Sequence, residues 1–540
     1  MQLSRSFGMH IFLFALLILH FAALAAGQVS VSTYHYDNYR TGWNQNETVL
    51  TPANVGSSSF GMLYNITLDD RVDAQPLVIP GVNITSGNYQ GQHDVVYVVT
   101  ANNSVYAIDA KNGTVLLRSS LGLPVRAPLA CSGHVGITST PVIDTTSSTM
   151  YVIAYTTDKS GPTYRIHAID LGSLADKVTP QVVTGSHALG DGSTFAFNAA
   201  YQRQRPALLL ANGNVYAGFG SFCDFAPSLS RGWLLGWAAG SLTPLAANQI
   251  LDNQASSPNS YFLSSIWMSG YGLASDDSGN ILFVTGNSDP SGTTYDGVSN
   301  IQESVVKVSP DLSTLLDLFT PSNEAALDEL DMDFGSGGVM VLPDQPGTTP
   351  HLAVAVGKIG SMFLMNEDHL GGFSTIKNNV LGTYSAGPCW CGPSYFVDAD
   401  GAARVVSSTG RTVKIWKLST SRAPSLSRVA SSPAIGGGQD PGFFTTVSSN
   451  GASNAIVWAL SHPTSSTQLA INLVAIAPDS GSTLSVLFTS PAGAWGAFKG
   501  NANLVPVVAN GEVFVASYKQ LQIFGLTGSP RKKAVAPRGK

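Results

Sequence analysis

Val95-Val96-Tyr97-Val98-Val99-Thr100, then Ala101-Asn102-Asn103, then Ser104-Val105-Tyr106-Ala107-Ile108-Asp109-Ala110-Lys111-Asn112-Gly113-Thr114 is the clearest copy of a unit that recurs along the chain. Apolar residues alternate with period two, the spacing of strands whose side chains point to opposite faces. Asn-Asn and Asn-Gly supply turns that reverse the chain between antiparallel strands. The same order of strand, turn and strand returns at 150–170, 215–237, 281–308, 352–365, 403–417, 455–476 and 513–525.

Proline marks where most units begin. Pro76, Pro141, Pro206, Pro393, Pro433 and Pro506 each stand before or at a short apolar run, and the first three are 65 residues apart. Proline is tolerated at the start of a strand because its missing N–H falls outside the ladder. Two further units without proline fit at 267–273 and 335–340, which makes eight. Small antiparallel units cannot bury both faces alone. The expectation is an all-β chain, an eight-bladed β-propeller spanning residues 27–528.

The first 26 residues read as a signal peptide. Arg5 is followed by the apolar run Ile11–Leu19 and by small residues at Ala23-Leu24-Ala25. That run is shorter than the ~20 residues a spanning helix needs, so no membrane span is expected and the protein is expected to be secreted. Sequons at Asn46, Asn65, Asn83, Asn102 and Asn112 would then be open to glycosylation. Residues 529–540 read as a disordered basic tail carrying Arg531, Lys532, Lys533, Arg538 and Lys540. A net charge of −6, with only 11% charged residues, argues against nucleic acid as a partner.

Four cysteines, Cys131, Cys223, Cys389 and Cys391, allow three pairings in an oxidising compartment. A bridge within Cys389-Trp390-Cys391 is geometrically awkward, so the expected partners of that pair are Cys131 and Cys223. There is no C-x-x-C-H, Walker loop, dinucleotide fingerprint, HExxH or nucleophile elbow.

The 96–113 unit resembles the repeat of quinoprotein alcohol dehydrogenase-like propellers, the pyrroloquinoline quinone (PQQ) repeat. The run Tyr39-Arg40-Thr41-Gly42-Trp43-Asn44-Gln45-Asn46-Glu47-Thr48-Val49-Leu50-Thr51-Pro52 is similar to a secreted PQQ-repeat-like group, as are Ala74-Gln75-Pro76-Leu77, Gly136–Pro141 and Cys389–Pro393. The likeness covers about residues 31–527. It implies an oxidoreductase that dehydrogenates an alcohol, sugar or polyol with PQQ and Ca²⁺ and passes electrons to an external acceptor. The alternative is a non-catalytic extracellular propeller whose rim binds a carbohydrate or a protein, because a fold does not dictate a function.

In a propeller, the segment before each innermost strand lies at one rim of the channel. Those segments carry Arg71, Asp73 and Gln75; Cys131, His134 and Thr138; Arg203, Gln204 and Arg205; Trp267 and Ser269; Asp331, Asp333 and Ser336; Cys389, Trp390 and Cys391; Arg428 and Ser432; Lys499 and Asn501. Polar, charged and aromatic residues converging on one concavity define a candidate site. Arg203 and Arg205 suit a carboxylate or quinone oxygens, or loop carbonyls. Asp331 and Asp333, before a glycine-rich loop, suit Ca²⁺ or loop capping. From the resemblance, either could instead be the base that takes the alcohol proton. His134 is a second candidate proton acceptor. Trp267 and Trp390 are candidates for stacking on a planar ligand, or for core packing. Gln75 and Lys499 complete the candidate cofactor contacts. The resemblance also brings a disulfide between adjacent cysteines over the cofactor, which this chain lacks.

Overall fold

The structure, a computed structural model, describes residues 27–126, 133–159, 161–222, 229–254, 261–478 and 481–528. The expected signal peptide, the basic tail, Cys131 and Cys223 lie outside the described residues.

Eight antiparallel sheets are laid down in chain order. The first runs Leu77–Ile84, Gly91–Val99, Ser104–Asp109 and Val115–Ser120, with Leu77 opposite Tyr97 and Tyr97 opposite Ala107. The innermost strands of the other seven are Val142–Asp144, Leu209–Ala211, Ala274–Ser275, Val339–Val341, Ser394–Val397, Thr445–Asn450 and Val507–Ala509. The ring is closed by the N-terminal strand Phe60–Arg71, which pairs with Glu512–Leu526 and so forms the outer strand of the eighth sheet. The fold is an eight-bladed β-propeller. Each blade packs on two neighbours, so its middle strands are buried on both faces. Val95 to Val99 are all buried, as are Leu352 to Val356. Each such Val or Ile contributes about 1.5–3 kcal/mol by leaving water. Among the described residues no helix is long and apolar enough to cross a membrane. Of the sequon asparagines, Asn46, Asn65 and Asn83 are exposed, whereas the Asn102 amide donates to Asp69 Oδ2 at 2.7 Å.

The seventh unit departs from the proline rule. Pro433 does not open an inner strand; it follows the last strand of the sixth blade, Ser425–Ser431, and Ile435 N–H donates to Arg411 O. The inner strand begins only at Thr445, after the glycine run 436–438.

The inner edge of every blade faces the axis, and bare strand edges need partners. Residues 31–46 supply them, touching the blades nearly in ring order. Val31 pairs with Val78 of the first blade, and Ile143 N–H of the second donates to Ser32 O. Asn38 Nδ2 donates to Leu210 O of the third, and Ser275 N–H of the fourth donates to Asn38 O. Tyr39 O, Thr41 O and Gly42 O accept from Val341, Tyr395 and Val447 of the fifth, sixth and seventh blades. Asn44 Nδ2 reaches Val508 O of the eighth. This axle has Arg40 as its hub. The fully buried guanidinium donates to Leu273 O (2.7 Å), Thr33 Oγ1 (2.7 Å), Tyr34 O (2.8 Å), Asp37 O (3.0 Å) and Leu208 O (3.2 Å). Gly42 has φ +66°, and a Cβ there would lie 2.9 Å from Ser394 Cβ, so no other residue fits.

Candidate functional site

Above the axle the channel opens into a cavity of about 710 Å³, within the size range of small-molecule sites. All eight blades contribute to its wall, mostly through the loops before their inner strands: Asp73, His134, Arg203 and Arg205, Trp267, Asp331 and Asp333, Trp390, Asp440, and Lys499 with Asn501. The structure therefore brings His134, Arg203, Arg205, Trp267, Asp331, Asp333, Trp390 and Lys499 to one space. It does not bring Gln75, which is buried below. Gln75 Oε1 accepts from His35 N–H at 3.0 Å and its Nε2 donates to Thr33 O at 3.2 Å, which clamps the axle to the first blade. Arg428 and Ser432 are also absent from the wall, and Asp440 stands in for the seventh blade. That follows from the displaced inner strand.

One wall is built around a residue the sequence did not single out. Lys358 sits in the hairpin between Leu352–Val356 and Ser361–Asn366. Its ammonium lies 2.5 Å from Asp333 Oδ2 and 2.8 Å from Asp331 Oδ1. It also lies 4.5 Å from the Trp390 ring centre and 5.7 Å from that of Trp267, within cation–π range of both. The two indoles meet edge to face at 5.5 Å. Lys358 and Asp333 are buried, whereas the Asp331 side chain is 69% exposed, at a left-handed φ of +52°. Burial pushes the Asp333 carboxyl up, opposed by Lys358. Behind them Glu303 is wholly buried. Its Oε2 accepts from Phe334 N–H at 2.5 Å and its Oε1 has no partner. Burial first, then Asp333, drive its carboxyl well above the usual range. Gly286 makes the close packing possible: a Cβ there would meet Asp333 Oδ1 at 2.6 Å and Trp267 Nε1 at 2.8 Å.

Trp390 is fixed by its neighbours. Cys389 and Cys391 form a disulfide with each other, their Cα atoms 5.1 Å apart, within the ordinary range for a bridge. This corrects the expectation that each bonds elsewhere: the short loop bulges at Trp390 enough to bring the two sulfurs together. Trp390 N–H donates to Pro441 O at 2.8 Å.

The other walls carry the arginines and the histidine. Arg71 pairs with Asp73 at 2.8 Å. Burial raises the Asp73 carboxyl, but Arg71, with Arg205 and Arg203, more than offsets it and holds it below the usual range. Arg205 donates to Thr138 O at 2.8 Å, and burial lowers its guanidinium to about 10. Gly270 lies against it, since a Cβ there would be 2.1 Å from Arg205 Nη1. His134 pairs with Asp70. Lys499 is exposed at the mouth. Ser269 Oγ, Asn501 Nδ2 and Asn503 Oδ1 belong to lining residues and have no protein partner.

Two indoles offer apolar surface to a flat ligand, and Arg203, Arg205 and Lys499 offer positive charge to its anionic groups, on a wall that also carries Asp70, Asp73, Asp331, Asp333 and Asp440. A carboxylate-bearing planar quinone such as PQQ fits that description. Calcium does not fit the carboxylates, because one ammonium already binds both. Among the described residues no three His, Cys, Asp or Glu side chains converge as a metal site.

Ring and cavity together make an eight-bladed β-propeller with a walled cavity on its axis. No family model and no curated protein matches the chain. Solved structures do. Quinohemoprotein alcohol dehydrogenase from Comamonas testosteroni is similar with a TM-score of 0.60 and 13% identity, over 94% of this chain and 82% of that one. Another quinohemoprotein alcohol dehydrogenase, from Pseudomonas putida HK5, gives 0.59 and 13%, over 95% and 82%. A europium-containing methanol dehydrogenase gives 0.56 and 11%, over 92% and 98%. At such identities the likeness is one of fold.

Proposed function

We propose that this protein is a secreted oxidoreductase that holds a planar, carboxylate-bearing quinone of the PQQ type in its cavity and dehydrogenates an alcohol, sugar or polyol. The observation that carries the reading is the Lys358 ammonium placed against two indoles and two carboxylates at once. A bound ortho-quinone supplies a two-electron acceptor for the carbon-bound hydrogen of the substrate. Asp331, exposed in the cavity, accepts the hydroxyl proton. Lys358 holds that carboxylate in place. Trp267 and Trp390 exclude water and hold the plane of the cofactor. The arginines take its carboxylates. Regenerating the quinone would require an external electron acceptor.

A second reading rests on the lining itself, where Ser221, Ser265, Ser269, Asn501 and Asn503 alternate with Trp267, Trp390 and Trp495, a mixture that also suits a bound carbohydrate with no chemistry. Titration with PQQ, followed by quenching of tryptophan fluorescence, separates the two. Saturable quenching in the micromolar range, lost in Trp390→Ala, followed by turnover of an alcohol or sugar with an artificial acceptor and loss of it in Asp331→Asn, is expected. No binding at high micromolar PQQ rejects the oxidoreductase and leaves the glycan reading to be screened.

A further inference from the structure

We propose that Lys358 is the resident cation of this site, standing where a divalent metal would otherwise bridge Asp331 and Asp333, so that the cavity works without a metal.

The ammonium donates to Asp333 Oδ2, to Asp331 Oδ1 and to Asp331 O at 3.0 Å, which uses all three of its protons. Asp333 Oδ1 is taken by Asn287 N–H at 2.7 Å, and Glu303 Oε2 by Phe334 N–H. Calcium needs six to eight oxygens. Asp331 Oδ1, both Asp333 carboxylate oxygens and Glu303 Oε2 are thus already held by N–H groups, so the pocket behaves as an anion-lined socket for one ammonium. Lys358 cannot easily swing aside. Its own N–H donates to Asp333 O at 3.0 Å. The flanking glycines wedge the hairpin against its neighbours, since a Cβ at Gly357 would lie 2.6 Å from Phe334 Cα and one at Gly360 2.1 Å from Gly387 C. The indoles of Trp390 and Trp267 close over the ammonium and complete the socket. Arg71, Arg203 and Arg205 line the same cavity and oppose a further positive ion.

The inference deepens the reading above and depends on it only for the identity of the cofactor, so its first test leaves the cofactor out. Terbium is added to the purified protein and its emission is followed by excitation of the tryptophans, with calcium as competitor. Wild type is expected to show no saturable emission up to about millimolar ion, the weak limit of protein calcium sites. Lys358→Ala is expected to gain a site at least ~10²-fold tighter, because a neighbouring unit charge is gone and two carboxylates are exposed. Adding Asp333→Asn should abolish it. Lys358→Arg should stay silent, which shows that charge and not shape excludes the metal. Thermal melts of each variant establish that the ring is folded. Micromolar calcium-competed binding by wild type that Asp333→Asn removes would overturn the proposal, and so would a folded Lys358→Ala that gains no site. In a second arm, PQQ affinity is measured in chelator and in excess calcium and is expected to agree within about two-fold. Absence of PQQ binding in both would sink the functional reading while the terbium result stands.

Discussion

Replacing Arg40 by methionine tests the axle. The guanidinium makes five hydrogen bonds to four carbonyls and a hydroxyl, contributed by the axle and by the third and fourth blades. Methionine keeps the apolar stem and removes every donor. Hydrogen bonds to a charged group contribute about 1.5–3 kcal/mol each, but the losses do not add, since the freed carbonyls relax together. Leaving a buried acceptor unsatisfied costs about 1–3 kcal/mol, so with partial relaxation of the five a total of about 3–5 kcal/mol is expected. Unfolding entropy is about 2.1 cal/mol/K per residue, or about 1 kcal/mol/K for a ring of this length, so Tm should fall by about 3–5 °C. The assay is differential scanning calorimetry at several scan rates, because large proteins often melt irreversibly. Arg40→Lys, which keeps charge but loses the fork, should fall between. A methionine variant melting within 1 °C of wild type would refute the hub.

Two further outcomes follow from buried chemistry. Both bridging sulfurs are wholly buried, so the Cys389 and Cys391 peptide should resist alkylation after mild reduction until denaturant is added, and the Cys389→Ser/Cys391→Ser double variant should lose about 1–2 kcal/mol and weaken ligand quenching. Labelling in native buffer would contradict this. Burial lowers the His462 imidazole to about 4, whereas an unfolded histidine titrates near 6.5. Between those values only the unfolded chain takes the proton, so stability falls as pH drops from about 6.5 to about 4, by about 3 kcal/mol. His462→Gln should flatten that part of the acid limb in denaturant melts, and parallel limbs would show that His462 is not the group.

The propeller was legible because its signal is periodic. Alternation, turn pairs and strand-opening prolines each repeat, so errors in one unit are corrected by the others. Pro433 misled because nothing local distinguishes a proline that follows an outer strand from one that opens an inner strand. Asp331, Asp333, Trp267, Trp390 and the two arginines could be placed at one rim from the blade order alone. Gln75 sits in the same kind of segment, yet its side chain turns to the axle, and no pattern specifies that choice. Lys358 and Glu303 were missed because they lie in the connections between second and third strands, a hairpin turn for Lys358 and the long 285–304 loop for Glu303, where a charged residue ordinarily faces water. The clue at Lys358 was its pair of glycines, Gly357 and Gly360, which announce close backbone approach. The axle is aperiodic and polar, and Arg40 reads as a surface residue until five carbonyl and hydroxyl oxygens are found around it.

A ring of repeats is ordinarily a chain of nearest-neighbour couplings, in which one blade can loosen without consulting the blade opposite. A thread bonded to all eight inner strands changes that arithmetic, because each blade shares a partner with every other. Local opening anywhere must either break the thread or pull on the remaining seven. The molecule should therefore melt in one step rather than by unzipping. It also cannot be finished in the order in which it is made: the thread, synthesised first, has no seat until Val507–Ala509 and its partner Glu512–Leu526 have emerged.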